Sequence, residues 1–170
     1  MEREETFEQN RKKELFGWLV VSFLLLMLGG WLTSFGLGEW YSELNFPPFQ
    51  PPGWAFTPAW VIILSLLAIA TWKITEQVSK EHEQARTIAL VLYGSQLVLN
   101  AGWSLLFFAV RRPDFALGEI IILDFVLLGM VIAYFRISKS AGVLLLPYLF
   151  WLLFATAINS WIVMNNPAFG

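Results

Sequence analysis

Gln96, Asn100, Trp103 and Phe107 follow one another at intervals of four, three and four residues; Tyr148, Trp151, Ala155 and Asn159 follow at three, four and four. On a helix, each set lies along one face. Both sets fall in stretches without a single charged residue, where polar groups are expensive in lipid and turn into the protein. Trp60 occupies a further stretch of this kind, and Asp124 a stretch whose only other charged residue is Glu119. The chemistry these residue types offer is recognition. An indole presents a broad flat apolar face and one N–H donor, and a carboxamide adds a donor and an acceptor. Two readings of Gln96, Asn100 and Asn159 stand side by side: they bond neighbouring helices, or they touch a ligand. Asp124 has no basic residue at its depth, so it is neutral and hydrogen-bonded, paired with an indole N–H, or on a proton path.

Bond-making chemistry has little to work with. The single histidine, His82, lies in the hydrophilic run Lys80-Glu81-His82-Glu83, and cysteine is absent. That excludes disulfides, thiol catalysis, a nucleophile–histidine pair and a zinc cluster. No phosphate-cradling loop occurs and no basic stripe points to nucleic acid. With neither histidine nor cysteine in an apolar stretch, a bound porphyrin would be held by stacking, dispersion and hydrogen bonds, without a ligand to its metal.

The elements that must carry these residues are membrane spans. Hydrophobic residues make up 57% of the 170-residue chain and charged ones 14%, too apolar a balance for a soluble domain of this size. A helix needs about 20 apolar residues to cross a bilayer core. Five such stretches are predicted, at residues 15–37, 58–74, 87–110, 115–135 and 141–164, within one domain of residues 15–166. Residues 1–14 are read as an exposed, mixed-charge tail without the pattern of a cleavable signal, and residues 167–170 as a short end. Asp114 is the expected N-cap of the fourth span, and Pro58 suits the first turn of the second. Trp18, Trp31, Trp54, Trp72 and Trp161 stand near span ends, as interfacial belt residues do.

Orientation follows from basic residues. Arg3, Arg11, Lys12, Lys13, Lys73, Lys80, Arg86, Arg136 and Lys139 fall on one side; Arg111 and Arg112 fall on the other. Nine against two predicts a cytoplasmic N-terminus, with the first loop and the C-terminus outside. That first loop holds Pro47, Pro48, Pro51 and Pro52 among aromatic residues. Proline fixes φ and restricts the residue before it, so the loop is stiff. It reads as a lid, with a plain connector as the alternative.

The chain resembles the translocator protein family, also called tryptophan-rich sensory proteins or peripheral-type benzodiazepine receptors. The resemblance rests on Trp40-Tyr41 with Leu44, Pro47 and Pro51-Pro52; on Pro58-Ala59-Trp60; on Leu92-Tyr93-Gly94-Ser95-Gln96-Leu97 with Leu99-Asn100 and Trp103; on Asp124; and on Leu146-Pro147-Tyr148-Leu149-Phe150-Trp151 with Phe154-Ala155-Thr156 and Asn159. It implies an all-α five-helix bundle, with a structured proline and aromatic loop between the first two spans and a pocket beneath it. It also implies binding of protoporphyrin IX, haem and related flat lipophilic molecules, and a possible homodimer. The pocket residues carried over are Trp40, Pro51, Trp60, Asn100, Trp103, Trp151, Ala155 and Asn159; Pro47 of the loop and Tyr148 of the fifth face join them. Trp60 and Trp151 match tryptophans that the family links to light-dependent porphyrin breakdown. The sequence departs from the pattern at Phe46, Phe49, Leu64 and Ile120. Ser160 and Met164 stand where the sterol-binding segment has a tyrosine and an arginine.

These readings lead to a multi-pass protein that binds tetrapyrroles as ligands, needs no cofactor or metal and has no conventional catalytic site. Its expected role is sensing or stress regulation, with any photochemistry supplied by the porphyrin. Two alternatives are a carrier for tetrapyrroles or other lipophiles, and a regulatory partner of another membrane protein.

Overall fold

The computed structural model describes residues 2–77 and 82–167. Lys80 and Glu81 of the hydrophilic run, and the end beyond Pro167, lie outside the described residues. The elements are α1 (Glu2–Ser34), a single short turn α2 (Glu39–Ser42), a 3-10 turn (Gly53–Ala55), α3 (Phe56–Thr75), α4 (Glu83–Ser104) running into a π-helical turn (Leu105–Ala109), α5 (Pro113–Ile137) and α6 (Lys139–Asn165). Five helices are long and apolar enough to cross a membrane. In lipid a backbone must satisfy its own hydrogen bonds, which is why each apolar stretch closes as a helix.

The helices exceed the apolar stretches by a turn or so, because a helix does not end where lipid does. The largest excess is in α1, whose 33 residues reach about 50 Å, beyond a bilayer core of about 30 Å. The segment read as a tail is thus helical from Glu2, with Glu8 to Glu14 exposed. Glu, Lys, Arg and Gln favour helix, and the span supplies the nucleus. Lys12 pairs with Glu8 at 3.0 Å, while the Arg11 guanidinium pairs with Glu76 at the end of α3 and covers the Trp72 ring at 5.3 Å.

Neighbour follows neighbour in a closed ring: α1 on α3, α3 on α6, α6 on α5, α5 on α4, and α4 back on α1. The main core runs through Leu67, Ile74, Leu127, Met130, Tyr134 and Leu145, all fully buried. A smaller cluster of Leu44, Phe107, Ala116, Ile158 and Ile162 lies at the end that carries the first loop.

The turn into α5 differs from expectation. Pro113 takes the first helical position, Arg112 the cap position, and Asp114 lies inside the first turn. Proline's fixed φ and missing N–H suit that place. Asp114 serves the positive end of the helix and accepts a bond from Arg112 Nε at 2.8 Å. Arg111 has φ +58, closing the π-helical turn where glycine is the usual residue.

Candidate ligand site

On α4 the expected face is realised with a modification. Gln96, Asn100 and Phe107 are buried and Trp103 half-buried. The π-helical turn adds one residue to the last winding, with Val110 N–H reaching Leu105 O at 2.9 Å. It brings Phe108 beside Phe107, ring centroids 4.8 Å apart. Trp103 stacks on Phe107 at 5.0 Å and meets Phe108 edge-on at 5.8 Å. From the loop, Trp40 meets Phe107 at 6.1 Å and Tyr41 packs on Phe46 at 4.7 Å. Burial raises the Tyr41 phenol above its ordinary value, and a bond from Gln50 opposes the shift.

A second aromatic wall stands on α3 and α6. Trp60 meets Tyr148 edge-on at 5.9 Å, Trp151 meets Phe56 at 5.7 Å, and Trp151 tilts against Phe154 at 6.1 Å. Phe49 bridges from the loop to Phe154 and Trp161 at 6.0 and 6.2 Å. Ala155 lies half-buried on the same stripe, with Pro47 buried and Pro51 half-buried above.

Polar bonds join the two walls. The Asn100 amide donates to the Tyr148 hydroxyl at 2.9 Å, and that hydroxyl donates to Gln96 Oε1 at 3.0 Å. Trp103 Nε1 donates to Asn159 Oδ1 at 3.0 Å, while Asn159 Nδ2 donates to Pro113 O at 2.9 Å. Thr156 Oγ1 donates to Asp124 Oδ2 at 2.9 Å, which gives Asp124 a hydroxyl partner on α6. The interhelical reading of the three amides therefore has its bonds. The residues named for the site line or adjoin these walls, and Asp124 of α5 joins them through Thr156, the neighbour of Ala155. Of the belt tryptophans, Trp31 and Trp54 are well exposed, whereas Trp18 packs edge-on against Tyr93 at 5.2 Å.

The loop is fastened above the walls. Asn166, just beyond α6, accepts from Asn45 N–H at 2.9 Å and donates to Asn45 O at 3.3 Å and Ile162 O at 2.7 Å. Sequence reasoning passed over this fastening, and over Phe108 and Phe56 as wall residues. It also gave Glu119 no role. The signal for Glu119 was its spacing, three after buried Ala116 and four before buried Leu123. Among the described residues, no group of three His, Asp or Glu could hold a metal ion. An open cleft of about 420 Å³, lined by Glu14, Gly17, Trp18, Val21 and Thr75, lies at the opposite end of the bundle and shares no residue with the constellation.

Residues 18–164 match the sequence profile of the TspO/MBR family. The tryptophan-rich protein TspO of Chlorobaculum tepidum is 36% identical over 128 residues, 75% of this chain and 80% of that protein. The translocator protein of Sus scrofa is 35% identical over 155 residues, covering 88% and 91%. The tryptophan-rich sensory protein of Cereibacter sphaeroides is 32% identical over 121 residues, covering 71% and 73%.

Proposed function

The chain belongs to the TspO/MBR family of integral, multi-pass membrane proteins, and we propose that it binds tetrapyrroles such as protoporphyrin IX and haem between the two aromatic walls, in a sensing or stress-regulatory role. The observation that carries this reading is the pair of indole-rich walls, one on α4 and one on α3 and α6, closed above by a loop fastened to α6. A flat apolar macrocycle gains most from rings it can lie against. Trp60, Trp151 and Trp103 supply such faces, Asn100 and Asn159 supply amides, and Trp40, Pro47 and Pro51 close the top. The rings pack on one another, so the ligand enters by parting the walls and taking over their contacts. Haem would sit there without a histidine or cysteine ligand to iron, since the spans contain neither.

In this proposal the N-terminus is cytoplasmic and the loop faces outward, as the nine-to-two charge bias supports. Light-dependent porphyrin breakdown is included as a possible activity: the bound pigment generates the reactive species, and Trp60 and Trp151 hold it. The central test is titration of detergent-purified protein with protoporphyrin IX, followed by tryptophan quenching in the dark and then under light. Saturable quenching in the dark is expected, with loss of the porphyrin absorbance only on illumination. Absence of saturable quenching overturns the reading. Flux of protoporphyrin IX into proteoliposomes would move the assignment to a carrier.

A further inference from the structure

Four buried side-chain atoms on facing surfaces of α4 and α5 have no hydrogen-bond partner among the described residues: both carboxyl oxygens of Glu119, Oδ1 of Asp124 and Nε2 of Gln96. Gln96 is wholly buried. Its own Oε1 is taken by the Tyr148 hydroxyl, and that hydroxyl lies within electrostatic reach of both carboxyl groups. Gly102 of α4 lies beside Glu119: a Cβ added there would stand in ordinary contact, 3.7 Å from Oε1. Thr156 of α6 occupies the remaining oxygen of Asp124.

Among the described residues, no cation faces this region. From α4 the titratable group is Tyr93, from α6 Tyr148, and from α5 itself Tyr134 and Asp114. The π-helical turn offers none, nor does α3 between Phe56 and Trp72 or α1 between Leu15 and Ser34. Arg111 and Arg112 stay at the loop end, where Arg112 is engaged by Asp114. An ionised carboxylate is expensive in lipid without a counter-charge. A bound proton removes the charge.

We infer that Glu119 and Asp124 form an intramembrane proton-binding site, both carrying a proton at neutral pH and exchanging it with water at the loop end of the bundle. Glu119 lies six residues inside α5, about 9 Å along the axis, and Asp124 another 7 to 8 Å deeper. Glu119 is thus the outer station and Asp124 the inner one. In each uptake, hydronium at the loop end gives its proton to a carboxyl oxygen, an O–H bond forms, and water is left behind. The inference does not depend on which lipophilic ligand the aromatic walls take.

The sequence makes the test selective, because Asp114 and Asp124 are the only aspartates. Infrared spectra of the full-length protein in lipid vesicles should show protonated-carboxyl C=O bands at neutral pH. Labelling with ¹³C-aspartate should shift one band and ¹³C-glutamate the other. Asp124→Asn should abolish the first alone and Glu119→Gln the second alone, with Asp114→Asn changing neither. Raising the pH should remove both bands as the carboxyls ionise. If a variant fails to assemble, the isotope shifts of the unsubstituted protein still decide. No protonated-carboxyl band at neutral pH, or bands that depend on sodium instead of pH, would overturn the inference.

Discussion

At Tyr148 one phenol hydroxyl serves two buried amides on another helix, taking a bond from Asn100 and giving one to Gln96. Tyr148→Phe should strand both amides. Leaving a buried polar group unsatisfied costs about 1–3 kcal/mol, so thermal unfolding in detergent should fall clearly while helix content holds. An unchanged melting temperature would show that water replaces the hydroxyl. Trp60 and Trp151 are different, since their rings meet neighbours through faces and edges. Trp→Phe at either should weaken protoporphyrin IX binding by ~0.5–1.5 kcal/mol, about two- to twelvefold, with the bundle intact. Equal affinity in both variants would remove them from the site. The facing stripes on α4 and α6 were legible in the sequence because spacing alone sets a helical face. The partners of the amides were not: a carboxamide buried in lipid satisfies itself on whichever helix comes within reach. Glu119 escaped notice because a lone carboxylate near a span end reads as surface until its neighbours are known.

Among the elements, existence and type followed directly from the length of each apolar stretch. The extra winding at Leu105–Ala109 did not, since no residue pattern marks a π-helical turn. That turn is held by a close approach of Gly36, where an added Cβ would stand 2.7 Å from the Phe108 carbonyl oxygen and 2.8 Å from its Cα. Backbone cannot swing aside as a side chain does. Gly36→Ala should therefore destabilise the protein by about 1–3 kcal/mol, seen as a lower melting temperature, whereas Gly30→Ala, with open space around it, should be neutral. The stiffness of the loop was legible from its prolines, and its fastening by Asn166 was not, because that contact spans 121 residues. Asn166→Ala removes two bonds to Asn45, each worth about 0.5–1.5 kcal/mol. Protoporphyrin IX should then dissociate up to about tenfold faster, with helix content unchanged. An unaltered dissociation rate would mean that the loop does not cover the ligand.

For the molecule as a whole, the closed ring of five spans places the loop and the end of α6 together, and the start of α1 beside the end of α3. Which end faces the cell interior is set by charge outside the bundle. The absence of cysteine makes this easy to check. A cysteine replacing exposed Ser42 should react with an impermeant thiol reagent in intact cells, and one replacing exposed Gln77 only after the cells are opened. The reverse pattern would invert the orientation and place the aromatic walls at the cytoplasmic mouth. Composition alone revealed that the chain lives in lipid. The order of helices around the ring could not be read the same way, since lipid-facing and neighbour-facing surfaces are equally apolar.

The fastening of Asn45 by Asn166 also carries a consequence for biogenesis. Spans enter the bilayer in the order in which the ribosome delivers them, and the loop is delivered second among the elements that form its site. Once α4 is in place its Phe107 and Phe108 can meet Trp40 and Tyr41, but the loop still lacks its polar fastening. Only when α6 has crossed does Asn166 arrive and fix the loop in place. Sealing is thus the last event of assembly, and a nascent chain stalled before it would carry the loop without its bonds to Asn166.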